Sequence, residues 1–370
     1  MKVVQILPEL NAGGVERGTL EVGAHLVREG HEAIVISNGG RQVPALEASG
    51  ATHFTLPVHR KSLASLLQVR PLRRFLNEQR PDILHIRSRV PGWIAWLAWR
   101  GMDPATRPRL VSTVHGFYSV NRYSAVMTQG QRVIAVSESI RDYIQENYPA
   151  TPPDIIRVIP RGIEPADYKA DYAPPAAWLE KWNSEHPHLA GKHVLLLPGR
   201  ITRLKGHEDF FKLIAALKHD GIPVHGLVAG DTHVKKRAYL DELRGIVATL
   251  GLAAEITFLG HRSDIREIMA VSEITCALSQ QPESFGRTVL EAMALGKPVV
   301  GYDCGGVGEL LGTLFPGGKV PLGNHARLVE TTRAVIRDRS VPLPVGEPFT
   351  LSAMCRSTVA VYQELLTAAE

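Results

Sequence analysis

The sequence is poor in cysteine and in aromatic residues, and it lacks any long apolar run. Its 370 residues include three cysteines, and aromatic side chains make up 6% of the chain. The wide spacing of Cys276, Cys304 and Cys355 fits neither a disulfide framework nor a zinc site, which favours a reducing compartment. No apolar stretch reaches the ~18–20 residues that a membrane-spanning helix needs. The N-terminus carries one lysine and is interrupted by Pro8, unlike a secretory signal, so we expect a cytoplasmic protein.

Patterns that hold metal ions are also missing from the sequence. No two aspartates lie two positions apart, and the 15 histidines show no His-Glu-x-x-His spacing. We therefore predict no metal site and no resident cofactor.

Positive charge is concentrated in the first half of the chain. The overall charge of +5 is too small to indicate a nucleic-acid partner. Residues 1–165 hold 20 Lys and Arg against 14 Asp and Glu, and residues 60–109 hold 11 against three. This excess predicts an anionic partner for the first half, either an anionic membrane surface or an anionic acceptor. The candidate residues for such a contact are Arg70, Arg73, Arg74, Tyr118 and Arg122.

Three tryptophans, Trp93, Trp96 and Trp99, recur at helical spacing beside this basic region. One interpretation is a core helix of the first domain. The other is a membrane-surface patch that contacts anionic lipid headgroups. The sequence leaves both open.

Short β-branched runs alternate with amphipathic stretches along the chain, which predicts α/β architecture with parallel sheets. We expect two tandem doubly wound domains, with a ligand cleft between them beyond the carboxyl ends of the strands. The predicted parts are an N-terminal domain over 1–165, a proline-rich linker over 166–191, a second domain over 192–345, and a C-terminal helix in 346–370 that packs on the N-terminal domain.

Two loops that follow predicted strands carry candidate ligand-binding residues. Gly13 and Gly14 come before the first helix, where backbone amides are able to approach an anion. Arg200 and Lys205 lie in a loop after the first strand of the second domain. A planar guanidinium and an ammonium together suit a diphosphate group.

The most informative stretch is Pro282–Val300, in which two glutamates lie eight positions apart. Glu283 is predicted in a loop and Glu291 inside the following helix, at a separation of roughly 12 Å or less. At that separation they are suited to hold hydroxyls on two parts of an extended ligand. The amides near Ser284, Phe285, Gly286 and Arg287 would face a phosphate between them.

The chain resembles glycosyltransferase family 4 over nearly its whole length. The resemblance lies in the Gly13-Gly14 loop, Val158–Glu164, Gly199–Gly206, Phe258–Gly260, Glu283–Glu291 and Gly305–Glu309. It implies the GT-B fold, in which two Rossmann-like domains face a central cleft.

The resemblance also implies roles for individual residues. Arg200 and Lys205 would bind the diphosphate of a nucleotide-sugar, Glu291 the ribose hydroxyls, and Glu283 the donor sugar. His115 matches a family histidine near the reacting sugar. Arg161 stands where the family usually has asparagine, so no role is carried over to it.

We therefore expect a retaining, metal-independent glycosyltransferase that uses a UDP-linked sugar. Its acceptor would be a lipid-linked molecule or oligosaccharide, such as lipopolysaccharide core, at the inner face of a bacterial envelope. Two alternatives stay open: a nucleotide-sugar epimerase, and a sugar-nucleotide sensor or membrane-bound scaffold without activity.

Overall fold

The computed structural model describes residues 1–11, 13–231 and 237–367, which divide into two units. The first unit comprises Met1–Gly162 together with the C-terminal segment from Leu351, and the second comprises Ile163–Thr350.

The first unit is built on a seven-stranded parallel sheet in the order β3-β2-β1-β4-β5-β6-β7. Its inner strands are largely buried because helices cover both faces of the sheet, whereas the edge strand β3 is mostly exposed. The strands are β1 (Lys2–Ile6), β2 (Glu32–Ser37), β3 (Thr52–Thr55), β4 (Ile83–Ile86), β5 (Arg109–Val114), β6 (Arg132–Ala135) and β7 (Ile156–Val158), and the helices between them are α1 (Gly14–Arg28), α2 (Val43–Ala48), α3 (Val69–Gln79), α4 (Arg89–Arg100) and α5 (Glu138–Asn147).

The second unit repeats this architecture with a six-stranded parallel sheet in the order β10-β9-β8-β11-β12-β13. The prediction of two doubly wound domains in tandem is confirmed. Its elements are α6 (Ala176–Glu185), β8 (His193–Pro198), α7 (His207–His219), β9 (Val224–Ala229), α8 (Arg237–Thr249), β10 (Ile256–Gly260), α9 (Ile265–Val271), β11 (Ile274–Ala277), α10 (Arg287–Ala294), β12 (Val299–Tyr302), α11 (Gly305–Leu314), β13 (Lys319–Val320) and α12 (His325–Asp338).

The proline-rich segment 166–191 packs into the second unit. Trp182 of α6 is buried in the core of that unit, and its ring stacks on Trp178 at 5.0 Å between centroids. The indole of Trp178 donates a hydrogen bond of 2.8 Å to Asp264. The segment predicted as a linker therefore contributes to the second unit's core.

The last helix, α13 (Leu351–Thr367), belongs to the first unit. Its Tyr362 hydroxyl lies 2.7 Å from Nδ1 of His85, whose Nε2 lies 2.7 Å from Oγ1 of Thr113. Burial, followed by the charges of Arg87 and Arg161, lowers the pKa of His85 well below its usual range. The neutral imidazole thus has one hydroxyl partner for each ring nitrogen, and this buried chain ties α13 to β4 and β5.

We expect Tyr362→Phe to destabilise the first unit by about 1–3 kcal/mol, because one ring nitrogen of His85 then stays buried without a partner. The free energy of unfolding is measured in urea, with hydrogen exchange in peptides of β4 and α13 as the readout. Tyr123→Phe, which removes a hydroxyl from a half-buried tyrosine of the same unit, is the matched control. Equal unfolding free energies for the two variants would contradict a structural role for the chain of hydroxyls.

Candidate functional site

The loop after β8 is held in a tight path by glycine. Gly206 has a φ of +72°, and a Cβ added to it would lie 2.0 Å from the carbonyl oxygen of Leu278. The backbone N–H of Gln280 donates to the carbonyl of Leu204 at 2.8 Å. These contacts press the loop that carries Lys205 against the loop that follows β11.

Lys205 and Glu283 meet between these two loops. Lys205 Nζ lies 2.7 Å from Glu283 Oε1, and the hydroxyl of Ser279 donates to the same carboxylate oxygen. Each partner of the ion pair keeps 28% of its side chain exposed, so the pair can be reached by a ligand. Arg200 lies exposed in the same loop, two residues after β8. The fold thus joins a cation and a carboxylate that are 78 positions apart in the chain.

The loop that holds Glu283 rests on the start of α11. The N–H of Gly306 donates to the carbonyl of Glu283 at 2.8 Å. A Cβ on Gly305 would lie 2.5 Å from that carbonyl oxygen, and one on Gly306 would lie 2.4 Å from Cα of Phe285. Gly305 and Gly306 are therefore needed because the backbone of Glu283 and Phe285 passes directly over them.

Helix α10 places Glu291 in a buried position. Gly286 precedes the helix with a φ of +93°, and Ser284 and Phe285 come just before it. The side chain of Arg287 lies 3.4 Å from the carboxylate of Glu291, which is 5% exposed. A carboxylate so deeply placed is held by a charged neighbour rather than by water.

In the first unit, His115 follows β5 and contacts a guanidinium. Arg161 Nη2 donates to His115 Nδ1, and the N–H of His115 donates to the hydroxyl of Tyr118 at 3.2 Å. Burial, then the charges of Arg161 and Arg87, lowers the pKa of His115 well below its usual range. Gly13, with a φ of +153°, and Gly14 lie at the start of α1.

A groove of about 750 Å³ opens on the first unit, between α4 and the segment before α3. Leu63 and Leu66 on its wall are 86% and 44% exposed. Lys61 and Arg122 stand at its polar margin, and no acidic residue lines it among the described residues. The groove is lined by Lys61, Ser62, Leu63, Ser65, Leu66, Val90, Trp93, Ile94, Leu97, Arg122 and Tyr123.

The arginines of the predicted basic cluster differ in their surroundings. Arg73 donates to the carbonyls of Leu97 and Ala98 at 3.3 and 3.2 Å, where it stabilises the C-terminal turn of α4. Arg74 is exposed and pairs with Glu78 at 2.7 Å, and Arg70 is exposed on the same helix.

The three tryptophans of α4 pack against the core of the first unit and remain partly exposed. Trp93 donates to the carbonyl of Tyr123 at 2.8 Å, and Trp99 to that of Pro108 at 2.7 Å. Of the two interpretations of this helix, the geometry favours a core helix, because the indoles of Trp93 and Trp99 are held by hydrogen bonds within the unit. Trp93 also lines the groove.

Sequence reasoning missed Ser279, Arg87 and the contact between Arg161 and His115. Ser279 follows β11 and Arg87 follows β4. Their positions just after strands were the feature of the sequence that could have marked them as candidate site residues. Which of these side chains meet depends on strand order, which a single sequence does not reveal. Within the described parts of the chain, no three His, Cys, Asp or Glu side chains are grouped to hold a metal ion. No helix in those parts is long and apolar enough to cross a bilayer.

Two family models match the chain one after the other. The model for Glycosyltransferase Family 4 matches residues 12–167, and the model for Glycosyl transferases group 1 matches residues 180–346. The chain belongs to glycosyltransferase family 4. Its two parallel-sheet domains are those of the GT-B fold, as the family resemblance implied.

Known proteins similar to this glycosyltransferase include both sequences and solved structures. The lipopolysaccharide core biosynthesis mannosyltransferase LpcC of Rhizobium leguminosarum bv. viciae is 30% identical, over 48% of this chain and 53% of LpcC. A glycosyltransferase from Rickettsia africae ESF-5 is 27% identical with a TM-score of 0.83, over 99% of this chain and 98% of that one. Alr3699/HepE of Anabaena, solved in complex with UDP, has the same fold at 21% identity and a TM-score of 0.77, over 100% and 99% of the two chains.

We expect Gly206→Ala to destabilise the second unit of this glycosyltransferase more than Gly221→Ala. Both glycines have a φ near +75°, so alanine costs roughly 1–2 kcal/mol at either position. A Cβ on Gly221 meets nothing within 4 Å, whereas one on Gly206 strikes the Leu278 carbonyl and adds about 1–3 kcal/mol.

Urea unfolding, monitored in peptides of the second unit, measures this difference. Equal losses of stability in both variants would mean that the loop is able to relax away from Leu278.

Proposed function

We propose that this protein is a retaining, metal-independent glycosyltransferase that transfers a sugar from a UDP-linked donor to a lipid-linked envelope acceptor such as lipopolysaccharide core. The observation that carries the proposal is the Lys205–Glu283 ion pair beside the exposed Arg200 at the end of β8. The complexes of the Anabaena neighbour with UDP support the choice of donor, and the name of LpcC supports the choice of acceptor.

The positive side chains in the loop after β8 supply what the reaction needs. Cleavage of the anomeric carbon–oxygen bond leaves negative charge on the departing diphosphate and an oxocarbenium-like sugar. Arg200 and Lys205 stabilise that charge by preorganised donors, in the role that a metal ion takes in other transferases. Lys205 keeps a defined position because Glu283 and the loop beneath Gly206 hold it.

The two glutamates take different parts in this reaction. Glu291, buried on α10, suits the ribose hydroxyls, whose contacts are the same before and during bond cleavage. Glu283, partly exposed, suits the donor sugar. The acceptor hydroxyl attacks the same face of the anomeric carbon from which the diphosphate leaves, and its proton passes to a phosphate oxygen, so configuration is retained.

The groove of the first unit suits the apolar part of a lipid-linked acceptor. Its exposed leucines are unusual at a water-facing surface, and burying one leucine side chain contributes about 1.5–3 kcal/mol. Lys61 and Arg122 stand beside them, where an anionic headgroup adds about 1 kcal/mol for each cation. We propose that this surface binds the acceptor peripherally at the inner face of the cytoplasmic membrane.

We expect Arg200→Ala to lower kcat by roughly 10²–10³, as loss of a donor to a developing anion does. A thermal-shift panel of nucleotide-sugars first identifies the donor, since a ligand at 100 times its Kd stabilises by about 2.7 kcal/mol. Release of nucleoside diphosphate in the presence of lipopolysaccharide core then measures turnover. Arg203→Ala is the matched control, because Arg203 lies in the same loop but pairs with Glu242 at 3.0 Å.

Turnover should also persist in excess EDTA. Unchanged kcat in Arg200→Ala, or abolition by EDTA, would overturn the proposed electrostatic mechanism. Release of nucleotide that does not depend on an acceptor would instead favour a hydrolase or epimerase.

We expect the double variant Leu63→Ser and Leu66→Ser to lose at least tenfold in binding to phosphatidylglycerol vesicles, because it removes two apolar contacts of about 1.5–3 kcal/mol each. Val341→Ser with Leu343→Ser is the control, since these residues are 69% and 58% exposed but belong to the second unit. Sedimentation at low and high salt separates the apolar from the ionic contribution. Equal binding by both double variants would contradict docking through this surface, and equal binding to neutral vesicles would contradict a contribution from its cations.

A further inference from the structure

The contact between Arg161 and His115 determines which ring nitrogen of the histidine carries the proton. Arg161 Nη2 faces His115 Nδ1. A guanidinium has donors and no acceptor, so Nδ1 must accept with its lone pair. The single proton of a neutral imidazole then resides on Nε2.

The other side of the ring lacks a partner. His115 Nε2 is buried and has no hydrogen-bond partner within the described residues. A buried donor left unpaired costs about 1–3 kcal/mol, which is unusual outside functional sites. The missing partner is therefore an acceptor atom brought by a ligand.

The elements packed around His115 present mainly positive or neutral groups. Arg87, fully buried after β4, and Arg161 both lie about 3 Å from the point where a Cβ on Gly18 of α1 would stand. Tyr118 faces the backbone of His115, and Glu21 of α1 is the acidic group whose charge acts on Arg87. The remaining titratable groups are His85 of β4 and, from α13, Tyr362 and Cys355.

We propose that Arg161 is a positioning residue that fixes His115 as a neutral hydrogen-bond donor, with Nε2–H directed to an oxygen of the bound substrate. The proposal rests on the proposed function, in which that substrate is a sugar donor or its acceptor. His115 then contributes by holding an oxygen in place, and it does not take a proton from the acceptor hydroxyl. The depressed pKa of His115 agrees with this role, because burial and both guanidiniums oppose a charged imidazole.

The identity of residue 161 matters because other side chains would allow the proton of His115 to lie on either ring nitrogen. An asparagine presents both an amide donor and a carbonyl acceptor, so it pairs with Nδ1 in either state. A methionine presents neither strong donor nor strong acceptor. Arginine and lysine have donors and no acceptor, so either of them at this position requires an unprotonated Nδ1.

The test is nitrogen NMR of the full chain labelled with ¹⁵N-histidine, with the His115 signals assigned by their loss in His115→Gln. We expect an unprotonated Nδ1 and a protonated Nε2 in the wild type, unchanged from about pH 5.5 to 8.5, which spans the ordinary histidine pKa. Arg161→Met should give a mixture of the two neutral tautomers, because nothing then requires Nδ1 to be the acceptor. Arg161→Lys should restore the wild-type tautomer.

Kinetics provide a second readout. Arg161→Met should lower kcat by about tenfold with UDP affinity unchanged, because the imidazole is then no longer fixed in one tautomer. In the His115→Gln background, the same substitution should have little further effect, because the side chain that it positions is gone. Arg28→Met, at an exposed arginine of the same unit, controls for the loss of one positive charge.

A protonated Nδ1 in the wild type would overturn the proposal, as would an equal effect of Arg161→Met with and without His115. The NMR result does not depend on turnover. Failure of the proposed transferase activity would therefore leave the tautomer assignment standing, and an active enzyme with the wrong tautomer would refute this inference alone.

Discussion

The ion pair between Lys205 and Glu283 is the contact on which the second unit's site depends, because it joins the functional side chains of the loop after β8 and the loop after β11. Three backbone approaches support it. Gly206 passes under the carbonyl of Leu278, Gln280 donates to Leu204, and Glu283 accepts from Gly306. Since each of these contacts joins backbone to backbone, a change of side-chain rotamer cannot relieve a misfit there. The charges are therefore preorganised before any ligand arrives, which is the condition for electrostatic stabilisation of a leaving group.

In the first unit, the positive charges near His115 lie beside neutral imidazoles, whereas Lys205 in the second unit lies beside a carboxylate. The first unit buries guanidiniums around His115, and the Nε and Nη2 atoms of Arg87 have no partner within the described residues. Buried cations are costly unless a carboxylate or acceptor accompanies them. Arg161 meets part of this need by using an imidazole nitrogen as acceptor. An oxygen-rich ligand would relieve the part of this cost that remains.

The sequence predicted those features that depend on local pattern. Strands and helices alternate as the pattern of β-branched and amphipathic stretches predicted, and Ser137 caps α5 by accepting from the N–H of Ile140 at 3.1 Å. Features that depend on distant contacts were not predictable. Arg73 was predicted as a surface charge that contacts an anionic partner, but its guanidinium donates to carbonyls of α4. The segment 166–191 was predicted as a linker because it is rich in proline, and the packing of its tryptophans into the core of the second unit depends on contacts that the local pattern does not show.

The formal charge of residues 60–109 overstates the charge that this region offers to a partner. Arg73 is used by α4, and Arg87 is fully buried. Three other arginines lie against aromatic rings: Arg89 on Tyr118, Arg100 on Trp96 and Arg107 on Trp99. Cations fixed on rings remain charged, but their freedom to follow a headgroup is reduced. The exposed leucines of the groove then weigh more than the arginine count, since one buried leucine contributes more than one juxtamembrane cation. In the docking that we propose, apolar contact would set the strength of binding, and the remaining cations would select an anionic partner.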